Sequence, residues 1–306
     1  GPHPTSLPES TSRYPEFDHV LVGEGEFAFL DFIRNSENGI RNERIICART
    51  IENLDSLPMP ARHLTDMSSY RREVEGRKAT SVITSRGCPY NCSFCCKDVH
   101  GRKVRYRSIK KIIEEIESIQ GSHGINAFIF YDDIFTLNRK RLPVLCRELK
   151  KRDLTFRCNG HSGINTYEDY VELREAGCQE IAFGIESGSQ RILDRINKGT
   201  TVQQNIDTIV TAKKAGLLTK AYLVVGFPGE TQETVDETKR FMDLADPDKF
   251  TLFQFVPLPG CDVWRNPEKY GFHDVPKIPF IKKINIDVLS SLLPLVPNYI
   301  WLLTNK

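Results

Sequence analysis

The sequence predicts an α/β fold whose parallel sheet is open or barrel-like, and three observations predict it. Between residues 81 and 260, strand and helix patterns follow one another in strict alternation as six strand-then-helix units. Such alternation makes each helix the crossover between parallel neighbours. Every strand but the first ends in a polar or Gly-containing tail: "DD", "CNG", "ESGS", "GFPGE" and "PLPG". Residues 127–131, "AFIFY", are a continuous apolar run of the kind found in strands covered on both faces.

The first element is read at residues 18–25, "DHVLVGEG", a short strand entering a Gly-bounded turn; Phe27, Leu30 and Ile33 then have helical spacing. Residues 52–75 carry two prolines and no sustained period, so a linker is expected there. "SVITS" at 81–85 is a strand leading directly into a cysteine-rich loop, and 108–120 is an amphipathic helix with Ile109, Ile112, Ile113 and Ile116 on one face. After the apolar strand come a helix at 139–152, a strand at 154–160, a helix at 166–177, a strand at 180–187 and a helix at 202–216. A strand at 221–230, a helix at 231–245 and a strand at 250–260 complete the series. The expected organisation is an α/β unit over 1–50, a linker over 51–76, the alternating barrel over 77–260 and a C-terminal extension over 261–306.

The chain's 306 residues suffice for one main core plus an appendage. Net charge is only +2, so no global basic field argues for nucleic acid. Lys97, Arg102, Lys103, Arg105 and Arg107 cluster locally and read as a solvated loop, with a local anion contact as the alternative. The longest apolar run, 288–303, is broken by two prolines and is expected to pack on a core and not to cross a bilayer. No charged-then-apolar leader directs secretion. An odd count of nine cysteines without framework spacing disfavours disulfides, so a reducing, cytoplasmic compartment is expected.

Four of those cysteines stand in "RGCPYNCSFCC", residues 86–96. Cys88, Cys92 and Cys95 have the spacing C-x3-C-x2-C, and Gly87 and Pro89 bend the backbone around them. Three thiolates on short loops suit an iron–sulfur cluster, and three ligands for four irons leave one metal position open for a ligand. Alternatives remain at this point. A structural zinc site normally takes four protein ligands, with Cys96 as a candidate fourth; disulfides or unliganded core cysteines are the others. The loop lies at the carboxyl end of its strand, on the rim where parallel β/α folds bind ligands.

"CPYNCSFC", with Phe94 directly before the third cysteine, resembles the signature of the radical S-adenosylmethionine (radical SAM) superfamily, and residues 81–260 resemble its partial (β/α)6 TIM-like barrel. The resemblance implies a [4Fe-4S] cluster on Cys88, Cys92 and Cys95 whose open iron chelates SAM. It further implies reductive cleavage of SAM to methionine and a 5′-deoxyadenosyl radical. "YDDIF" resembles the turn that receives the SAM amino group, which assigns Asp132 and Asp133 as acceptors. "GIESGS" resembles the ribose-contacting tail, with Glu186 accepting from sugar hydroxyls and Ser187 assisting. "VVGFPGE" resembles the stretch along the adenine, with Gly226 allowing close approach. Asn159 and His161, in "RCNGHSG", end the third strand and face substrate or SAM, with an ordinary loop histidine as the alternative for His161. Cys158, Cys178 and Cys261 read as structural, Cys261 alone being placed to reach the mouth of the site.

Residues 1–65 resemble the last portion of the Rossmann-like cobalamin-binding domain that precedes the barrel in B12-dependent members, without that domain's front half. No D-x-H-x-x-G stretch, the source of a lower histidine ligand in many cobalamin domains, occurs in the chain. Cobalamin is therefore a candidate cofactor whose binding is not assigned to this chain alone. The branch implies a small-molecule or natural-product substrate, an electron donor such as flavodoxin or ferredoxin, and radical methyl transfer as the leading reaction. A cobalamin-independent radical SAM enzyme performing hydrogen abstraction or C–C or C–S bond formation is the alternative. A non-catalytic iron–sulfur or zinc module is the reading from another class.

Overall fold

The computed structural model describes residues 1–272. The 288–303 run and most of the expected C-terminal extension lie outside the described residues.

Two short helices, α1 (Pro2–Ser6) and α2 (Pro8–Ser12), open the chain, each with proline in its first turn. Sequence reasoning found neither. Strand β1 (Val20–Val22), helix α3 (Gly25–Glu37) and strand β2 (Ile45–Cys47) then form a βαβ unit, β1 and β2 pairing in parallel. Strand β2 was not anticipated, because "IIC" is too short to show a period. No residue of α3 is buried, and Phe27, Phe29, Leu30 and Ile33 stay exposed among the described residues.

The expected linker has more structure than its composition suggests. It contributes β3 (Arg72–Val74), which turns through Glu75 and Gly76 at φ 47° and 72° into β4 (Arg77–Val82). Two positive φ values in succession mark a hairpin turn whose twist matches that of its strands. After β4 the chain leaves the sheet, so "SVITS" is not one strand: β5 (Ser85–Arg86) pairs antiparallel with β6 (Arg105–Tyr106) in a separate two-stranded ribbon.

The remaining elements are α4 (Ile109–His123), β7 (Ala127–Phe130), α5 (Leu142–Lys150), β8 (Thr155–Gly160), α6 (Tyr167–Glu175) and β9 (Cys178–Glu186). They continue with α7 (Gln190–Arg195), α8 (Val202–Lys214), β10 (Leu218–Val225), α9 (Gln232–Ala245), β11 (Lys249–Gln254) and α10 (Asp262–Arg265). Helix starts are encoded locally: Thr166, Thr201 and Thr231 each accept from the backbone three residues on and close a capping box. Helix α7, two turns at most, was missed.

The main sheet has the order β11-β10-β9-β8-β7-β4-β3, parallel throughout except for β3. Its parallel strands are spatial neighbours in chain order, so right-handed crossovers carry every helix to the same face and the sheet curls away from them. The result is a partial (β/α)6 TIM-like barrel. Its largest core lies between sheet and helices, where Ile112, Ile116, Phe128, Phe156, Tyr170, Phe183 and Phe241 are all at most 1% exposed. Each such side chain contributes about 1.5–3 kcal/mol by burial. Among the described residues no helix is long and apolar enough to cross a membrane.

Candidate active site

The cysteine loop begins where β4 ends, and the corner is built by a carboxylate from the next strand. Asp132, just beyond β7, is 1% exposed. It accepts from Thr84 N and Thr84 Oγ1 at 3.0 Å and from Ser85 Oγ at 2.5 Å. Burial raises its pKa against the lowering effect of those bonds. Asp132 is therefore engaged in turning the chain toward the loop, and Asp133 is the exposed member of the pair. Asn159 is tied to the same corner, its Nδ2 donating to Asp132 O at 3.1 Å.

Ribbon β5–β6 clasps the root of the loop. Gly87 has φ +92°, and a Cβ there would stand 2.5 Å from Lys103 O, so only glycine fits. Cys88 N donates to Gly101 O at 3.4 Å, and Ser93 N to Ile196 O at 2.8 Å. Val263 N donates to Ser93 O at 3.1 Å, and Phe94 packs on Phe227 with ring centroids 5.4 Å apart. The loop is thus held by β6, by the end of α7, by α10 and by the loop after β10. Arg105 is 4% exposed and belongs to the clasp, whereas Arg102 and Lys103 of the same basic cluster are exposed, as the solvated-loop reading expects.

All nine cysteines are free, Cys88 buried and Cys92 and Cys95 half-buried. Burial pushes the Cys92 and Cys95 thiols up, while the ammonium groups of Lys198 and Lys97 oppose it at Cys92 and Cys95 respectively. Soft sulfur donors backed by cations fit an anionic iron–sulfur cluster. Cys96 turns the other way, its Sγ 3.2 Å from Ser6 Oγ and beside Gly260. Among the described residues no three His, Cys, Asp or Glu side chains, Cys88, Cys92 and Cys95 included, are gathered closely enough to hold a metal ion. Cys261 is fully buried and caps α10 by accepting from Trp264 N at 3.3 Å, so it does not reach the mouth of the site.

Opposite the loop, β9 ends in a bulge: Tyr222 pairs with Gly184 and Leu223 with Glu186, skipping Ile185. Glu186 has φ +66°, a strained value for a residue with a side chain. Its Oε1 accepts from Lys198 Nζ at 2.9 Å, the two residues being 8% and 6% exposed. A Cβ at Gly184 would collide with Glu186 Oε1, so glycine makes room for the pair. Ser187 is turned inward, accepting from Ser189 N at 3.1 Å and lying 3.3 Å from Thr238 Oγ1. That geometry makes it a turn-former at the end of β9.

His161 is no ordinary loop histidine. It is 7% exposed and stacks on Tyr90 of the cysteine loop, centroids 3.8 Å apart and planes at 8°. Burial, aided by the Lys198 charge, lowers its pKa to about 4, so the ring is neutral. Gly226 has φ +86°, and its N–H donates to Glu230. The sequence singled out neither Lys198 nor Arg86, since single cations in polar stretches carry no periodic signal, and it marked Lys97 and Arg105 only as members of a local basic cluster. On the sheet face away from the helices, Tyr131, Arg157, Asn159, Glu180 and Tyr222 line a cavity of about 90 Å³.

Comparison with known proteins agrees with the fold. The model of the radical SAM superfamily matches residues 82–242. An uncharacterised methyltransferase of Pyrococcus horikoshii is 37% identical over 86% of this chain and 61% of its own length. The anaerobic magnesium-protoporphyrin IX monomethyl ester cyclase of Rubrivivax gelatinosus is 30% identical over 93% of this chain and 55% of its own. The chain thus spans a little over half the length of these relatives. The radical S-adenosylmethionine methyltransferase TsrM of Kitasatospora setae, solved with cobalamin and a [4Fe-4S] cluster bound, shares the fold at a TM-score of 0.68 and 20% identity, over 85% of this chain and 55% of that one.

Proposed function

The chain belongs to the radical SAM superfamily, and on that premise we propose that it carries the catalytic core of an enzyme that reductively cleaves SAM at a [4Fe-4S] cluster. The observation that carries this reading is the clasped loop of Cys88, Cys92 and Cys95 at the carboxyl end of β4, facing the Lys198–Glu186 pair. Cys88, Cys92 and Cys95 would hold the cluster, whose chemistry there would be one-electron reduction of the SAM sulfonium to methionine and a 5′-deoxyadenosyl radical. Lys97 and Lys198 offset its negative charge. Asp133 accepts from the SAM ammonium, Glu186 uses Oε2 for the ribose hydroxyls, and Phe94 and Gly226 flank the nucleoside. Asp132, Ser187 and Asn159 hold the backbone of the site.

Methyl transfer is the finer reading, supported by the name of the P. horikoshii relative and by the parallel βαβ unit over β1, α3 and β2, which suits the end of a cobalamin-binding domain. Ring formation is the competing outcome, and the name of the R. gelatinosus relative supports it. Anaerobic reconstitution tests the core claim: iron and sulfide should reach about four of each per chain, and reduction with SAM should release 5′-deoxyadenosine. Zinc in place of iron, with no SAM turnover, would overturn it. Added cobalamin and isotopically labelled SAM then separate methylation from cyclisation.

A further inference from the structure

The cysteine loop is anchored to the N-terminal unit through one buried carboxylate. Glu24, the residue before α3, is 4% exposed. Its Oε1 accepts from Arg86 Nη1 at 2.8 Å and lies 3.2 Å from His100 Nδ1. Oε2 accepts from Arg105 Nη1 at 2.5 Å and from Ile51 N at 2.9 Å. The two arginines face each other across the β5–β6 ribbon, and Arg86 stands two residues before Cys88. Arg105 also donates to His100 O at 3.0 Å, beside the Gly101 whose carbonyl receives Cys88 N at 3.4 Å. From Glu24, then, two short chains of bonds reach the first cysteine from both sides.

We propose that Glu24 is a positioning residue for the cysteine loop, through which the N-terminal βαβ unit fixes Cys88 in the geometry needed to hold a cluster. Two guanidinium groups side by side repel, and Arg105 is too buried for water to offset its charge. One carboxylate shared between them removes the repulsion and sets their spacing. Glu26 reaches only Arg86, at 2.5 Å and from a more exposed position, so it cannot replace Glu24. Conversely, whatever shifts the N-terminus of α3 moves the root of the loop.

The inference rests on the cluster assignment for its purpose, but it is tested without iron. Reduced, iron-free full chain is treated with iodoacetamide, and labelling is mapped by peptide mass spectrometry in wild type, Glu24→Gln and Arg86→Gln. Local opening at the loop root should label Cys88 at least about ten-fold faster in Glu24→Gln, with the core thiols Cys146 and Cys178 unchanged. Arg86→Gln should give a smaller increase at the same site, and it decides the matter if Glu24→Gln does not fold, since its side chain is only partly buried. Unchanged labelling of Cys88, or equal acceleration at Cys146, would overturn the proposal. Chelator-driven iron release from reconstituted protein should be faster in both variants; a wild type that takes up no iron would defeat the cluster assignment and leave the labelling result standing.

Discussion

Lys198 Nζ donates to Glu186 Oε1 at 2.9 Å inside the rim, across a gap that Gly184 leaves open. The pair joins the strained end of β9 to the segment after α7, and its ammonium faces the thiols of Cys92 and Cys88. Lys198→Met would leave Glu186 charged and unpaired in a buried position, a loss expected to cost about 3–5 kcal/mol. Denaturant midpoints measure it; Glu186→Gln combined with Lys198→Met should recover most of the loss. A cost under about 1 kcal/mol would mean that water reaches the carboxylate.

Asp132 and Asp133 should separate cleanly. Asp132→Ala strips Thr84 N, Thr84 Oγ1 and Ser85 Oγ of their acceptor, a loss of at least about 1–3 kcal/mol. Asp133→Ala, on an exposed side chain, should stay within about 0.5 kcal/mol of wild type. Equal effects on the unfolding free energy would refute the division of roles.

Gly87→Ala should destroy iron uptake while the sheet's circular dichroism persists. Its added methyl meets a backbone carbonyl at 2.5 Å, and the positive φ adds about 1–3 kcal/mol. Gly101→Ala is the comparison, also at positive φ (+68°) but with open space around its Cβ; it should retain iron.

Cys92→Ala should lose both iron and SAM cleavage, because two thiolates do not retain the cluster. Cys96→Ala should keep both, since its sulfur faces Ser6 and Gly260. Iron and 5′-deoxyadenosine assays on the two variants check the ligand set, and a cluster lost from Cys96→Ala would revise it.

Glu230 is raised by burial from 4.5 to about 7, the Gly226 N–H only partly opposing the shift. The folded chain therefore keeps this proton at pH values where the unfolded chain has lost it, so stability falls as pH rises from 4.5 to about 7. Glu230→Gln should remove that slope. Thermal midpoints should show the variant gaining on wild type at pH 8 relative to pH 4.5; parallel profiles would count against it.

The alternation of strands and helices was legible because elements carry their own record: the period of Ile109, Ile112, Ile113 and Ile116 and the apolar run 127–131. The spacing of Cys88, Cys92 and Cys95 was equally local. Strand β2, the β3–β4 hairpin and helix α7 left too few residues for a period and escaped notice.

By itself, then, the sequence determined the alternating order of elements and the C-x3-C-x2-C spacing of Cys88, Cys92 and Cys95, since periodicity and spacing are properties of neighbours along the chain. Only the tertiary structure decided which of two adjacent aspartates turns inward, that Ser187 and Cys261 serve turns and caps, and that Lys198 pairs with Glu186 and Glu24 with the two ribbon arginines. Those outcomes depend on partners such as Glu24 with Arg86 and Arg105, which lie 62 and 81 positions apart. The energy of a buried charge depends on what the fold places against it, and no pattern within the segment records that.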